Sequence, residues 1–242
     1  MKKLIVLSLS LLVFANANAQ WGDKKVKGNG NEVTKERNVG NYESISVAGS
    51  MDVTLVSGSE GKLTIKAEEN LIPHIETEVK DGKLKIKTEK GYSLRPSGNK
   101  KIQVTVPFRE ISAVSLAGSG DIVSKNPIKT NSFKASVAGS GDINIQIEAT
   151  DIKGSVAGSG DLKLSGKAVN FDCSVAGSGD VHAFELVADN VEVSVAGSGD
   201  ARVHSTSSLK ARVVGSGEVT YKGNPDKVDS KATGSGTIRK ND

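Results

Sequence analysis

The sequence predicts an all-β fold, a right-handed parallel β-helix with coils of about 19 residues, capped at its N-terminal end by a region of strands and hairpins. Three observations predict it. The heptapeptide SVAGSGD begins at Ser136, Ser155, Ser174 and Ser194, at steps of 19, 19 and 20 residues. Apolar residues recur by two on both sides of each copy, as on a strand with one buried face. No stretch of the repeats has a helical period, and glycine or β-branched residues interrupt any candidate helix.

The first nineteen residues read as a secretory signal peptide: Lys2 and Lys3, an apolar run from Leu4 to Phe14, and the small-residue pattern Ala17-Asn18-Ala19 before cleavage. The apolar run is shorter than the roughly 20 residues a membrane helix needs. No cysteine follows the cleavage site to carry a lipid. An exported chain of 223 residues is expected, and its compartment is periplasmic, outer-surface or extracellular. Residues 20–37 are polar and Gly-rich and are expected to form a flexible leader.

Residues 38–110 are expected to form an N-terminal β region. Strand-like runs occur at Ser44 to Val47, Met51 to Val56, Lys62 to Ala67, Ile75 to Val79, Lys83 to Lys87 and Lys101 to Val106. Asp81-Gly82 between two of them predicts a hairpin, and Gly91 to Lys100 reads as a loop. This region would cap the solenoid and cover its first open edge.

Residues 111–242 carry the repeats, and 38–242 reads as one continuous domain. With Asp142, Asp161, Asp180, Asp200, Glu218 and Thr237 aligned, the residues nine earlier are Phe133, Ile152, Phe171, Val191, Leu209 and Val228. Those seven earlier include Ala135, Gly154 and Cys173, and those five earlier include Val137, Val156 and Val175. These columns are predicted to face inward. The intervening column, Lys134, Lys153, Asp172, Glu192, Lys210 and Asp229, is predicted to face water. A second inward strand follows each Gly-Ser-Gly corner, starting at Ile143, Leu162, Val181 and Ala201. Variation in repeat length falls in segments such as Ser165-Gly166-Lys167 and Ser205 to Ser208, which read as loops. A unit of this size cannot bury its inner face alone, so neighbours must stack on it. A meander of hairpins turning at Gly-Ser-Gly-Asp is the alternative; identical inward columns at one phase favour stacked coils. The right-handed sense follows from the general handedness of parallel crossovers.

These features, taken in order, resemble the head GIN domain family of exported bacterial auto-transporter adhesins. The resemblance rests on Tyr42 to Ser50 (YESISVAGS), Glu69 to Ile75 (ENLIPHI), the Asp81-Gly82-Lys83-Leu84 turn, Val104-Thr105-Val106-Pro107 and the repeated Gly-Ser-Gly-Asp corners, over roughly residues 38 to 237. It implies a right-handed β-helix-like fold and an envelope or extracellular location. It brings no catalytic residues.

In register, Asp121, Asp142, Asp161, Asp180 and Asp200 form a column of carboxylates that Glu218 continues. Neighbours about 5 Å apart repel by roughly 0.8 kcal/mol in water. Calcium between successive corners would offset this at those five aspartates. The other offset is local, with each aspartate accepting backbone N–H groups of its own turn. The glycines read as corners with φ > 0; a phosphate loop would need a following helix and Lys-Ser/Thr, which are missing. A glycan-active enzyme would need a convergent cluster of acids and bases, and His74, His182 and His204 are scattered. The single cysteine, Cys173, excludes internal disulfides and falls in an inward column. Ser136, Ser155, Ser174 and Ser194 form an outward polar column.

Acidic and basic residues are interspersed, and the net charge without the two signal lysines falls from +4 to about +2, which gives no basic patch for nucleic acid. The reading is an exported, non-enzymatic β-solenoid that uses a repetitive surface as an adhesin or envelope-binding protein for a surface glycan or protein. No cofactor and no transmembrane segment in the mature chain are expected. The alternatives are a glycan-active β-helix enzyme and a structural envelope module stiffened by calcium.

Overall fold

In the computed structural model, which describes residues 23–241, strands make up 70% of the described residues and wind into a β-solenoid of about 7 turns with coils of about 19 residues. The expected signal peptide lies outside the described residues.

Nine strands build the N-terminal part: β1 (Lys24–Lys27), β2 (Glu32–Asn38), β3 (Ser44–Gly49), β4 (Asp52–Ser57), β5 (Lys62–Glu68), β6 (Ile75–Lys80), β7 (Lys83–Thr88), β8 (Tyr92–Arg95) and β9 (Gln103–Phe108). Every predicted strand run of this region is present. The expected flexible leader over 20–37 needs correction, because β1 pairs in parallel with β8 and β2 pairs antiparallel with β5 along its whole length. These are polar edge strands, held by ladder hydrogen bonds to distant segments rather than by a buried face of their own. For the same reason β8 lies inside the stretch read as the loop Gly91 to Lys100. The predicted hairpin forms: Lys80 pairs with Lys83 across Asp81 and Gly82, which have φ of 51° and 69°, the two positive values a type I′ turn requires.

The repeats follow as β10 (Ala113–Gly118), β11 (Ile122–Ser124), β12 (Ile128–Gly139), β13 (Ile143–Gly158), β14 (Leu162–Gly177), β15 (Val181–Gly197), β16 (Ala201–Gly215), β17 (Glu218–Lys222), β18 (Lys227–Gly234) and β19 (Thr237–Lys240). Consecutive long strands pair in parallel and in register, so that Val137, Val156, Val175, Val195 and Val213 form one column. The inward columns are buried as predicted up to the last coil: Phe133, Ile152, Phe171, Val191 and Leu209 are each 3% exposed or less, whereas Val228, predicted in the same column, is 47% exposed because no further described coil covers it. Full burial of such side chains stabilises by about 1.5–3 kcal/mol each, and each coil is covered only by its neighbours.

Two features differ from the sequence reading. The length-variable segments are not loops: β14 to β16 run through them, and the extra residues appear as register shifts between Lys163 and Ser165 and between Ala183 and Val187. A bulge absorbs an inserted residue while the ladder continues on both sides. The stacking order also departs from chain order. β3 lies between β7 and β10, and β4 between β9 and β11. The chain therefore starts in the second coil, steps down to build the first, and crosses to the third. This places SVAGSMD, residues 46–52, directly under SLAGSGD, with Ser46 opposite Ser115 and Gly49 opposite Gly118.

The antiparallel pairs β2–β5, β5–β9 and β6–β7 close the N-terminal end. One hydrophobic core runs from Tyr42 to Val219.

Candidate functional site

The Gly-Ser-Gly corners stack more closely than side chains allow. Gly177 has φ +128°, and a Cβ on Gly179 would lie 2.1 Å from the carbonyl oxygen of Gly160 one coil below. That proximity serves a bond. The Gly158 carbonyl accepts the N–H of Ser178 at 2.9 Å and of Gly179 at 3.0 Å, and the same pair recurs at each corner from Gly49 to Gly215.

The five aspartates form the expected column, but they are not tied to their own turns. Each Oδ1 accepts the backbone N–H of the acidic residue in the next coil: Asp121 from Asp142 (3.4 Å), Asp142 from Asp161 (2.8 Å), Asp161 from Asp180 (3.0 Å), Asp180 from Asp200 (2.8 Å) and Asp200 from Glu218 (2.9 Å). This corrects the local Asx-turn reading. In a tightly stacked corner the nearest unpaired N–H belongs to the neighbouring coil. Glu218 ends the run against Thr220 and the Arg239 guanidinium, whose hydrogen bonds hold its carboxyl below the ordinary range.

The column leaves one Oδ2 per aspartate. At Asp161 that atom lies 3.5 Å from His182 Nε2, and Asp161, Asp180 and His182 each offer a ligand atom within 4.8 Å of the others. An imidazole nitrogen beside two carboxylates suits a transition ion better than calcium, which takes oxygen ligands.

His182 belongs to a second column that the sequence reading missed. Two residues after Asp161, Asp180 and Asp200 stand Lys163, His182 and Arg202, paired in register on successive strands. Phe184 lies beside them, half-buried, with Lys222 Nζ 4.6 Å from its ring centre. Lys163, His182, Phe184, Glu185 and Arg202 line an open depression of about 360 Å³. The signal for it in the sequence is the basic or imidazole residue two positions after Asp161, Asp180 and Asp200.

At the opposite corner Asn170 Nδ2 donates to Asp151, Asn190 Nδ2 to Asn170, and Ser208 Oγ to Asn190. This ladder satisfies its own polar groups. In the outward serine column Ser155 Oγ donates to Ser136 Oγ at 3.0 Å. Cys173 is buried, and burial pushes its thiol far above the ordinary range. The other histidines stand apart: His74 pairs with Glu89 and stacks on Tyr92, and His204 meets the Phe184 carbonyl. No helix among the described residues is long and apolar enough to cross a membrane.

A core enclosed by stacked coils beneath columns of outward polar side chains defines a repeat β-solenoid. The chain belongs to the family described as "Putative auto-transporter adhesin, head GIN domain", which matches residues 41–225. Its fold is shared with the crystal structure of a "putative adhesin" from Bacteroides fragilis, 25% identical with a TM-score of 0.83, covering 89% of this chain and all of that one. A "putative lipid binding protein" from Parabacteroides distasonis is 31% identical with a TM-score of 0.73, over 90% of this chain and all of that one. A third structure, from Parabacteroides merdae, is 23% identical with a TM-score of 0.67 over 90% of this chain and all of that one. No curated protein matches the sequence.

Proposed function

We propose that the protein is an exported, non-enzymatic adhesin that binds acidic glycans at the cell envelope through the face following its Gly-Ser-Gly-Asp corners. The observation that carries this reading is the in-register column Lys163, His182 and Arg202. Strand neighbours are about 4.8 Å apart, so the column presents three cationic or titratable groups to one extended anionic chain. Phe184 beside them supplies an apolar surface for a sugar ring. Such a site works by summing weak contacts over several coils, and it needs no convergent acid and base.

The test is an array of acidic and neutral glycans and matrix proteins, with anionic liposomes as a further arm. Acidic glycans are expected to bind in a salt-sensitive way. Combined Lys163→Glu and Arg202→Glu should abolish that binding, while single substitutions along the aspartate column leave it intact. Retention of neutral glycans alone, or capture only by liposomes as the name of the Parabacteroides distasonis relative would suggest, would refute the acidic-glycan reading. Turnover of a glycan that a single substitution abolishes would instead support an enzyme.

A further inference from the structure

The two ends of the solenoid are built differently. Antiparallel strands close the first end, whereas the last coil leaves its core side open among the described residues. Val228, Ser230 and Ala232 pair in register with Leu209, Ala211 and Val213, which are each 2% exposed or less. They therefore point toward the core axis, yet all eight residues of β18 are exposed, Val228 at 47%. β18 pairs with β16 on one side and with no other described strand. Its other edge presents free backbone donors and acceptors, and such an edge is a template for pairing with another strand.

We propose that this end is a homodimer interface, in which β18 pairs antiparallel with β18 of a second copy about a two-fold axis at Ser230. The occupant is identified by self-complementarity, which an isologous interface requires. Residues opposite one another across a pair share a face, so the pairing must match core-side residues with core-side residues. Centred on Ser230, it sets Val228 against Ala232 and Asp229 against Lys231, each twice, and Lys227 against Thr233. Centred one residue earlier, it would oppose Asp229 to Asp229 and Lys227 to Lys231. Centred one residue later, it would oppose Lys231 to Lys231. Like charges directly opposite are destabilising, so the charge pattern selects the Ser230 register. The Asp229 carboxylate is held by Arg212 and remains 67% exposed, open to a second cation. A dimer of this kind would extend the binding face along one axis and double its valency.

The experiment is sedimentation equilibrium on the chain from residue 20 onward, across micromolar concentrations, with circular dichroism melts to confirm that each variant is folded. The wild type is expected to dimerise. Asp229→Lys and Lys231→Asp should each weaken dimerisation at least tenfold. An equimolar mixture of the two should restore it as a heterodimer, and the double variant should restore it as a homodimer. A wild type that stays monomeric to 100 µM would overturn the interface. Dimerisation that ignores both reversals, or a mixture of folded variants that stays apart, would overturn the register. If one single variant fails to fold, the double variant against the wild type decides the same point.

Discussion

The Asp180 carboxylate accepts the backbone N–H of Asp200, one coil further on, at 2.8 Å. The acid of each corner thus acts as a cap for the next corner, in the way a side chain caps an orphan N–H at a helix start. Asparagine keeps the Oδ1 acceptor and removes one charge from the column. Asp180→Asn is therefore expected to change stability by less than about 0.5 kcal/mol, and Asp180→Ala to cost about 1 kcal/mol. Urea unfolding of both variants checks this, and an Asn variant as unstable as the Ala variant would disprove the capping role.

The same bonds bear on calcium. Each Oδ1 from Asp121 to Asp200 is already engaged by a backbone N–H of the next coil, so these acceptors have their partners without an ion. Chelation with EDTA is expected to leave the melting temperature unchanged, and added calcium should not raise it. A fall of several degrees on chelation, reversed by calcium, would reinstate a cation between the corners.

Gly179 has no room for a methyl group, since its Cβ would sit 2.1 Å from the Gly160 oxygen and 2.9 Å from Val156 Cγ1. Gly179→Ala should cost about 3 kcal/mol through forced separation of two coils. Ser178→Ala, at an exposed residue between the two glycines, should cost less than about 0.5 kcal/mol. Equal losses in a thermal or urea melt would show that the close stacking is not what fixes the glycines.

What could be read from the sequence was whatever repeats at a fixed phase. The Phe171, Cys173 and Val175 columns, the corners and the Asp81-Gly82 hairpin all follow from local chemistry copied coil after coil. Stacking order does not: Ser46 resembles Ser115 because they pair, but nothing local shows that Leu84 stacks beneath Ile45. Lys24 to Lys27 and Glu32 to Asn38 carry no alternating apolar pattern, so their ladders to residues 92–95 and 62–68 left no periodic trace. The aspartates are legible as a column but their donors are not, because spacing along the chain is silent about which coil supplies the N–H. The column Lys163, His182 and Arg202 also stands at a fixed phase, but its members differ in type and so leave no repeat in the sequence.

Glu68 supplies the last test, at the N-terminal end. It is 1% exposed, and its carboxylate accepts the Ser97 hydroxyl at 2.6 Å, the Ser97 N–H at 2.8 Å and the Gly30 N–H at 2.5 Å. It thereby joins the segment between β1 and β2 to the loop after β8. The Ser97 hydroxyl bond, followed by the backbone bonds, holds its carboxyl below the ordinary value of 4.5. Because the folded pKa is the lower one, the contribution is fully present above about pH 4.5 and is lost as pH falls through the folded value. Amide exchange in residues 24–38 should accelerate at the acid end of that window before the repeats open. Glu68→Gln should show the faster exchange already at pH 7, with little further change on acidification, since a neutral amide has one acceptor for three donors and no charge to lose. Exchange that rises simultaneously along the whole solenoid, or a Gln variant that keeps the wild-type pH dependence, would mean that Glu68 is not the latch.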